Sequence, residues 1–171
     1  MKYTMSVLVE NHPGVLSKVS GLFARRGFNI DSLAVGITED PAISRMTIVV
    51  DGDEYVLEQV EKQLNKLIPV IKVKTLKRDE YISRTLSLIK VAISSDGKRA
   101  ELMRITELMV ARIVDVSKSS ITVEFTDTPE RTETLELLLK GCGAIRETVR
   151  TGVIAIEKGA NPTRQAVNAS K

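Results

Sequence analysis

Among these 171 residues, the run Glu10-Asn11-His12-Pro13-Gly14-Val15-Leu16 has the residue types most capable of chemistry. It joins an alternating strand to an amphipathic helix. The first N–H groups of a helix lack intrahelical partners and carry the positive end of the macrodipole, so they attract anions. Pro13 presets a helical φ and removes one donor that would be an orphan anyway. Gly14 leaves no Cβ between a ligand and the backbone. Asn11 places an amide side chain at the mouth. A small carboxylate, such as that of a free amino acid, suits this place. The same residue types also make ordinary strand-to-helix turns, so the run alone does not decide function.

Other reactive groups are sparse. His12 is the single histidine, and no serine or cysteine near it has the setting of a nucleophile. Cys142 is the single cysteine, which excludes an internal disulfide and a cysteine-based zinc cage. Acidic residues gather at Glu39 and Asp40 and at Asp51, Asp53 and Glu54, as expected of solvated turns. No phosphate loop and no dinucleotide-binding glycine fingerprint is present. The residues therefore predict no catalytic site, no metal site and no cofactor of the chain's own. A net charge of +3 is too small to argue for nucleic acid. No apolar run approaches the roughly 20 residues needed to span a bilayer, and the N-terminus enters a strand directly. A cytoplasmic location without membrane contact is the expectation.

The elements that must position the loop follow from periodicity. Tyr3, Met5, Val7 and Val9 alternate as a strand. Val15, Leu16, Val19, Leu22 and Phe23 make a helical stripe that Gly27 is placed to end. Strands follow at Ile30–Ile37 and Met46–Val50. A second helical stripe runs from Val56 to Leu67, and Pro69 stops it before a strand at Val70–Leu76. Lys77-Arg78-Asp79-Glu80 is a charged, non-periodic break. The order then recurs: a strand at Leu86–Ile93; a helix with Leu102, Ile105, Leu108 and Met109; a hairpin around Lys118-Ser119. A helix capped by Thr128 follows, with Pro129 first and Leu135, Leu138 and Leu139 inward. Gly141 and Gly143 end it. Ile145–Ile156 is a last strand or pair of strands, bent at Thr151-Gly152.

These patterns predict an α+β chain of two consecutive ferredoxin-like βαββαβ sandwiches. The expected domains are 1–78, 79–159, and a polar C-terminal tail at 160–171. Apolar residues on both sheet faces predict that the second face is covered by sheet-to-sheet or edge-to-edge pairing, hence a homodimer. RNA-recognition domains share this order but stack bases on aromatic residues of the central strands. The third strand here, Ser44-Arg45-Met46-Thr47-Ile48-Val49-Val50, has none.

Asn11-His12-Pro13-Gly14-Val15-Leu16-Ser17, followed by Gly21-Leu22-Phe23 and Arg26-Gly27-Phe28-Asn29-Ile30, resembles an ACT domain. Asn29-Ile30-Asp31-Ser32-Leu33, Asp40-Pro41 and Ser44-Arg45-Met46-Thr47-Ile48 narrow the resemblance to the regulatory (small) subunits of acetohydroxyacid synthase, also called acetolactate synthase. The helix segment Glu58–Leu67 continues the match, and Ile113-Val114-Asp115-Val116 and Arg150-Thr151-Gly152-Val153 extend it more thinly.

The resemblance implies a non-catalytic subunit of the valine, leucine and isoleucine pathway. It would bind a separate catalytic (large) subunit, which owns the thiamine diphosphate, Mg²⁺ and FAD. It would raise that subunit's activity and confer feedback inhibition by valine. ACT domains pair side by side, with the effector between the first loop of one protomer and the second strand of the other. Asn11, Gly14, Val15 and Leu16 would then hold the carboxylate and frame the pocket, and Asn29 and Ile30 would come from the partner protomer. An apolar wall discriminates by only about 1–3 kcal/mol per methylene, so leucine and isoleucine would compete with valine. The second half lacks the Asn-x-x-Gly loop, with Ser94-Ser95-Asp96-Gly97-Lys98 in its place, and is expected to hold no second effector site. The competing expectation is a free-standing ACT-type amino-acid sensor acting on another enzyme or a transcription factor.

Overall fold

The computed structural model describes residues 1–160. The polar tail expected from residue 160 lies, apart from Ala160, outside the described residues. Backbone contacts divide the chain into two units. The first takes Met1–Ile82 together with Gly152 onward, and the second takes Ser83–Thr151.

In the first unit, β1 (Lys2–Glu10), α1 (Val15–Arg26), β2 (Ile30–Ile37), β3 (Ile43–Asp51), α2 (Glu54–Leu64) and β4 (Val70–Leu76) follow in order. They build an antiparallel sheet in the order β2-β3-β1-β4. The alternation of β1 sends Met5, Val7 and Val9 toward the helices, where they meet Val15, Val19, Leu22 and Phe23 of α1 and Val60 and Leu64 of α2. Thr4, Ser6 and Leu8, on the other face of β1, are also buried. Part of that cover comes from the unit's own late residues. Tyr81 lies within hydrogen-bond distance of the Thr4 hydroxyl, at 3.2 Å. A short strand, Ile154–Glu157, lies against β1 and sends Glu157 to Lys74 at 2.6 Å. The expectation that the second face needs another copy is thus met in part by the chain itself.

The second unit repeats the order with β5 (Tyr81–Ala92, which starts in the first unit), α3 (Asp96–Met109), β6 (Arg112–Val116), β7 (Ser120–Asp127), α4 (Pro129–Cys142) and β8 (Ile145–Arg150). Its sheet order, β6-β7-β5-β8, matches the first unit strand for strand. The core joins Ile89 and Val91 of β5, and Ile93 just after it, to Leu102 and Met109 of α3 and to Leu135 and Leu139 of α4. Two ferredoxin-like units are what the periodicity predicts. Some side chains differ. Leu108 and Leu138, expected inward, are exposed. Helix α4 runs through Gly141, and Gly143 alone ends it. Among the described residues no helix is long and apolar enough to cross a membrane.

Candidate functional site

Helix α1 begins at Val15, with Gly14 as its N-cap in the left-handed region at φ 86° and ψ −10°. These angles fit the third position of a type II turn over His12-Pro13-Gly14-Val15, a place that excludes most side chains. The Val15 N–H reaches the His12 carbonyl at 3.5 Å, and the Lys18 N–H donates to Gly14 O at 3.0 Å. Pro13 therefore stands before the cap rather than in the first helical turn, so its fixed φ serves the turn. A Cβ on Gly14 would meet nothing within 4 Å. The glycine is required for its backbone conformation, and the space above it is open.

The start of α1 differs from the other helix starts. Asp53, Ser95 and Thr128 cap α2, α3 and α4 through side-chain oxygens that accept from Val56, Lys98 and Arg131 N–H. No side chain caps α1, and its first turn holds no acid. By helix geometry, the Leu16 and Ser17 amides have no intrahelical acceptor.

Asn11 is not a loose amide at the mouth. Its Nδ2 donates to Pro41 O at 2.8 Å, and its Oδ1 accepts from Ser44 Oγ at 3.0 Å. Its backbone N–H donates to Ala42 O at 2.8 Å. Asn11 thus latches the β1–α1 loop to the β2–β3 turn, and one N–H of its amide is left for a ligand. Periodicity did not single out Pro41 and Ser44 as partners, because a hydrogen bond across 30 residues leaves no local pattern. His12 lies 3.0 Å from the Glu10 carboxylate and from Pro13 O.

Side-chain placement divides the expected pocket residues. Val15 is buried in the core, so its side chain cannot frame a pocket. Leu16 is 45% exposed. Val35 and Ile37, 47% and 67% exposed, lie on the helix-facing side of β2, opposite Met46 and Ser44, at the same end of the sheet as Gly14.

Asn29 and Ile30 lie at the other end. Ile30 pairs with Val50, whereas Glu10, next to Asn11, pairs with Ile43. At about 3.3 Å per residue the two ends of β3 are roughly 23 Å apart. Asn29 Nδ2 donates to Asp31 Oδ1 at 2.7 Å, and Ile30 packs against the core. A single chain therefore brings Asn11, Gly14, Val15 and Leu16 together and leaves Asn29 and Ile30 apart from them.

Among the described residues, no group of three or more His, Cys, Asp or Glu is placed to hold a metal ion. Burial pushes the Cys142 thiol above its ordinary pKa, and its Sγ faces Leu138 O.

Two family models match. One, an AHAS small subunit-like ACT domain, covers residues 5–72; the other, the small subunit of acetolactate synthase, covers residues 84–159. The acetolactate synthase small subunit of Mycolicibacterium smegmatis is 50% identical over 92% of this chain and 91% of its own length. A probable acetolactate synthase small subunit of Archaeoglobus fulgidus is 50% identical over 93% and 98% of the two chains. The crystal structure of the acetolactate synthase small subunit from Thermotoga maritima superposes with a TM-score of 0.85 at 37% identity, over 94% of this chain and 99% of that one. Matched in both halves and along nearly its whole described length, the chain belongs to the acetolactate synthase small-subunit family.

Proposed function

We propose that this chain is a regulatory subunit that activates a thiamine-diphosphate- and FAD-dependent acetolactate synthase catalytic subunit and makes it sensitive to valine. The observation that carries the effector half is the α1 start: uncapped, free of acids, opened by Gly14 and latched by Asn11. A carboxylate there gains N-terminal amides and the helix dipole together. The exposed apolar side chains of Leu16, Val35 and Ile37 stand at the same end for a branched side chain.

The distance between this loop and Asn29 and Ile30 supports a second copy in the site. β2 is an edge strand. Antiparallel pairing of β2 with β2 of another copy about a two-fold axis sets the Ile30 end of one beside the Ile37 end of the other. The Gly14 loop of one protomer then meets Asn29 and Ile30 of its partner. A ligand in such a seam contacts two protomers, and so can favour one of their arrangements, which an allosteric effect requires.

The test is reconstitution. The pure chain should turn over no pyruvate with thiamine diphosphate and Mg²⁺. Mixed with the catalytic subunit it should raise that subunit's rate, and valine should lower the rate again. Turnover by the chain alone, or a mixture with no rise in rate, would defeat this reading.

A further inference from the structure

The bend at Thr151-Gly152, which the effector loop leaves unexplained, closes on β2 within the first unit. A Cβ built on Gly152 would lie 2.1 Å from Leu33 O, 2.5 Å from Leu33 C and 2.9 Å from Ala34 N. No side chain fits there, and backbone atoms cannot swing aside. The next residue, Val153, donates its N–H to Ser32 Oγ at 2.8 Å. By alternation Ser32 faces away from the helices, since Leu33 packs into the helix-side core. The segment is held further along as well. Ala155 is buried, Glu157 pairs with Lys74 at 2.6 Å, and Lys158 N–H donates to Glu80 O at 2.9 Å. β2 needs such support. Among the described residues it pairs with β3 alone, and its register shifts between Ile30 and Ser32, directly after Asn29 and Ile30.

We infer that Gly152-Val153 is a clasp that fixes edge strand β2, and that Gly152 and Ser32 are positioning residues for the effector end of that strand. The inference rests on the effector reading above for its functional half. Neither residue touches the effector. The clasp sets where the Asn29–Ile30 backbone stands, and bulk at position 152 lifts the segment off Leu33 and loosens the strand.

The full-length chain tests this by amide hydrogen exchange and by calorimetry with L-valine. Gly152→Ala should speed exchange across residues 30–37 and weaken L-valine binding, each about tenfold. Ser32→Ala should do both in smaller measure, and Ser32→Thr, which keeps the hydroxyl, should restore them. These two variants carry the test if Gly152→Ala does not fold. Gly143→Ala is the structural control, because a Cβ there would lie 1.9 Å from Ala92 O in the second unit. It should destabilise the chain without changing exchange at 30–37 or L-valine affinity. Unchanged exchange at 30–37 in Gly152→Ala and Ser32→Ala would overturn the clasp. Faster exchange with unchanged L-valine affinity would overturn its link to the site. A wild-type chain that binds no L-valine would overturn the effector reading and the functional half resting on it. A wild type that binds while the variants bind equally well would overturn this inference alone.

Discussion

The first β–α junctions of the two units occupy the same place in the same topology and differ in what they leave for a ligand. In the first unit, α1 starts on a left-handed glycine with no side-chain cap and no acid. In the second, Ser95 Oγ accepts from Lys98 N–H at 3.3 Å, and Asp96 sits in the first turn. Lys98 Nζ reaches Glu101 at 2.8 Å and Gly141 O at 2.9 Å, and Arg99 Nη2 donates to Ser117 O and Lys118 O. The Glu101 hydrogen bond holds the Lys98 pKa above its ordinary value. That helix end already has its anion and its cap, whereas the first unit leaves both unsupplied. The two starts share a topology and differ in local sequence, so the fold alone does not decide which of them is open to an anion.

The largest expected effect comes from giving the first junction the acid of the second. Gly14→Asp sets a carboxylate where the effector's own should lie. Two like charges at 4 Å cost about 1 kcal/mol in water and about 4 at an effective dielectric of 20, roughly fivefold to nearly a thousandfold in affinity. The left-handed backbone adds strain of about 1 kcal/mol for a non-glycine residue, so folding is less indifferent to the change than an acid near a helix start suggests by itself. Gly14→Asn shares the strain without the charge and separates the two. Calorimetry with valine should show a much larger loss for Asp than for Asn, and equal losses would remove charge from the explanation.

Asn11→Ala comes next. It removes two hydrogen bonds that join the loop to Pro41 and Ser44, and should weaken valine binding by about 1–2 kcal/mol, roughly five- to thirtyfold. Unaltered affinity would assign the latch to folding alone. Ser95→Ala strikes the opposite junction. Losing that cap should cost about 1 kcal/mol of stability, seen as about 2–4 °C in Tm, with no change in valine response. A shift in valine sensitivity would break the contrast between the units. The smallest effect is expected at Cys142. Its buried, protonated thiol should react with a disulfide reagent only as fast as the second unit opens, and valine should not alter that rate.

Much of the architecture was legible because β1, α1 and α2 carry clear periods and Thr128-Pro129 marks the α4 start as a cap followed by a first-turn proline. The misreadings have definite causes. Leu16 lies next to Val15 in sequence but about 100° around the helix, so only Val15 reaches the core. The second face of β1 was expected to be covered by another copy, yet part of the cover over Thr4 comes from Tyr81, 77 positions later in the same chain. Pro13 pointed to a helix start that the left-handed Gly14 defers by two residues. At the site, the loop residues were legible as a string. The latch of Asn11 was not, and Gly152 read as a bend with no hint of the strand it closes on. Contacts across so many residues leave no trace in local spacing.

The central claim is that a free amino acid is held at the first junction and not at the second. Amide resonances of the isotope-labelled chain, followed during titration with L-valine, test it most directly. The account predicts saturable shifts at Gly14, Leu16 and Ser17 and at Asn29 and Ile30, with Ser95–Lys98 unmoved. Shifts centred on Ser95–Lys98, or saturable binding that leaves Gly14–Ser17 unmoved, would contradict it.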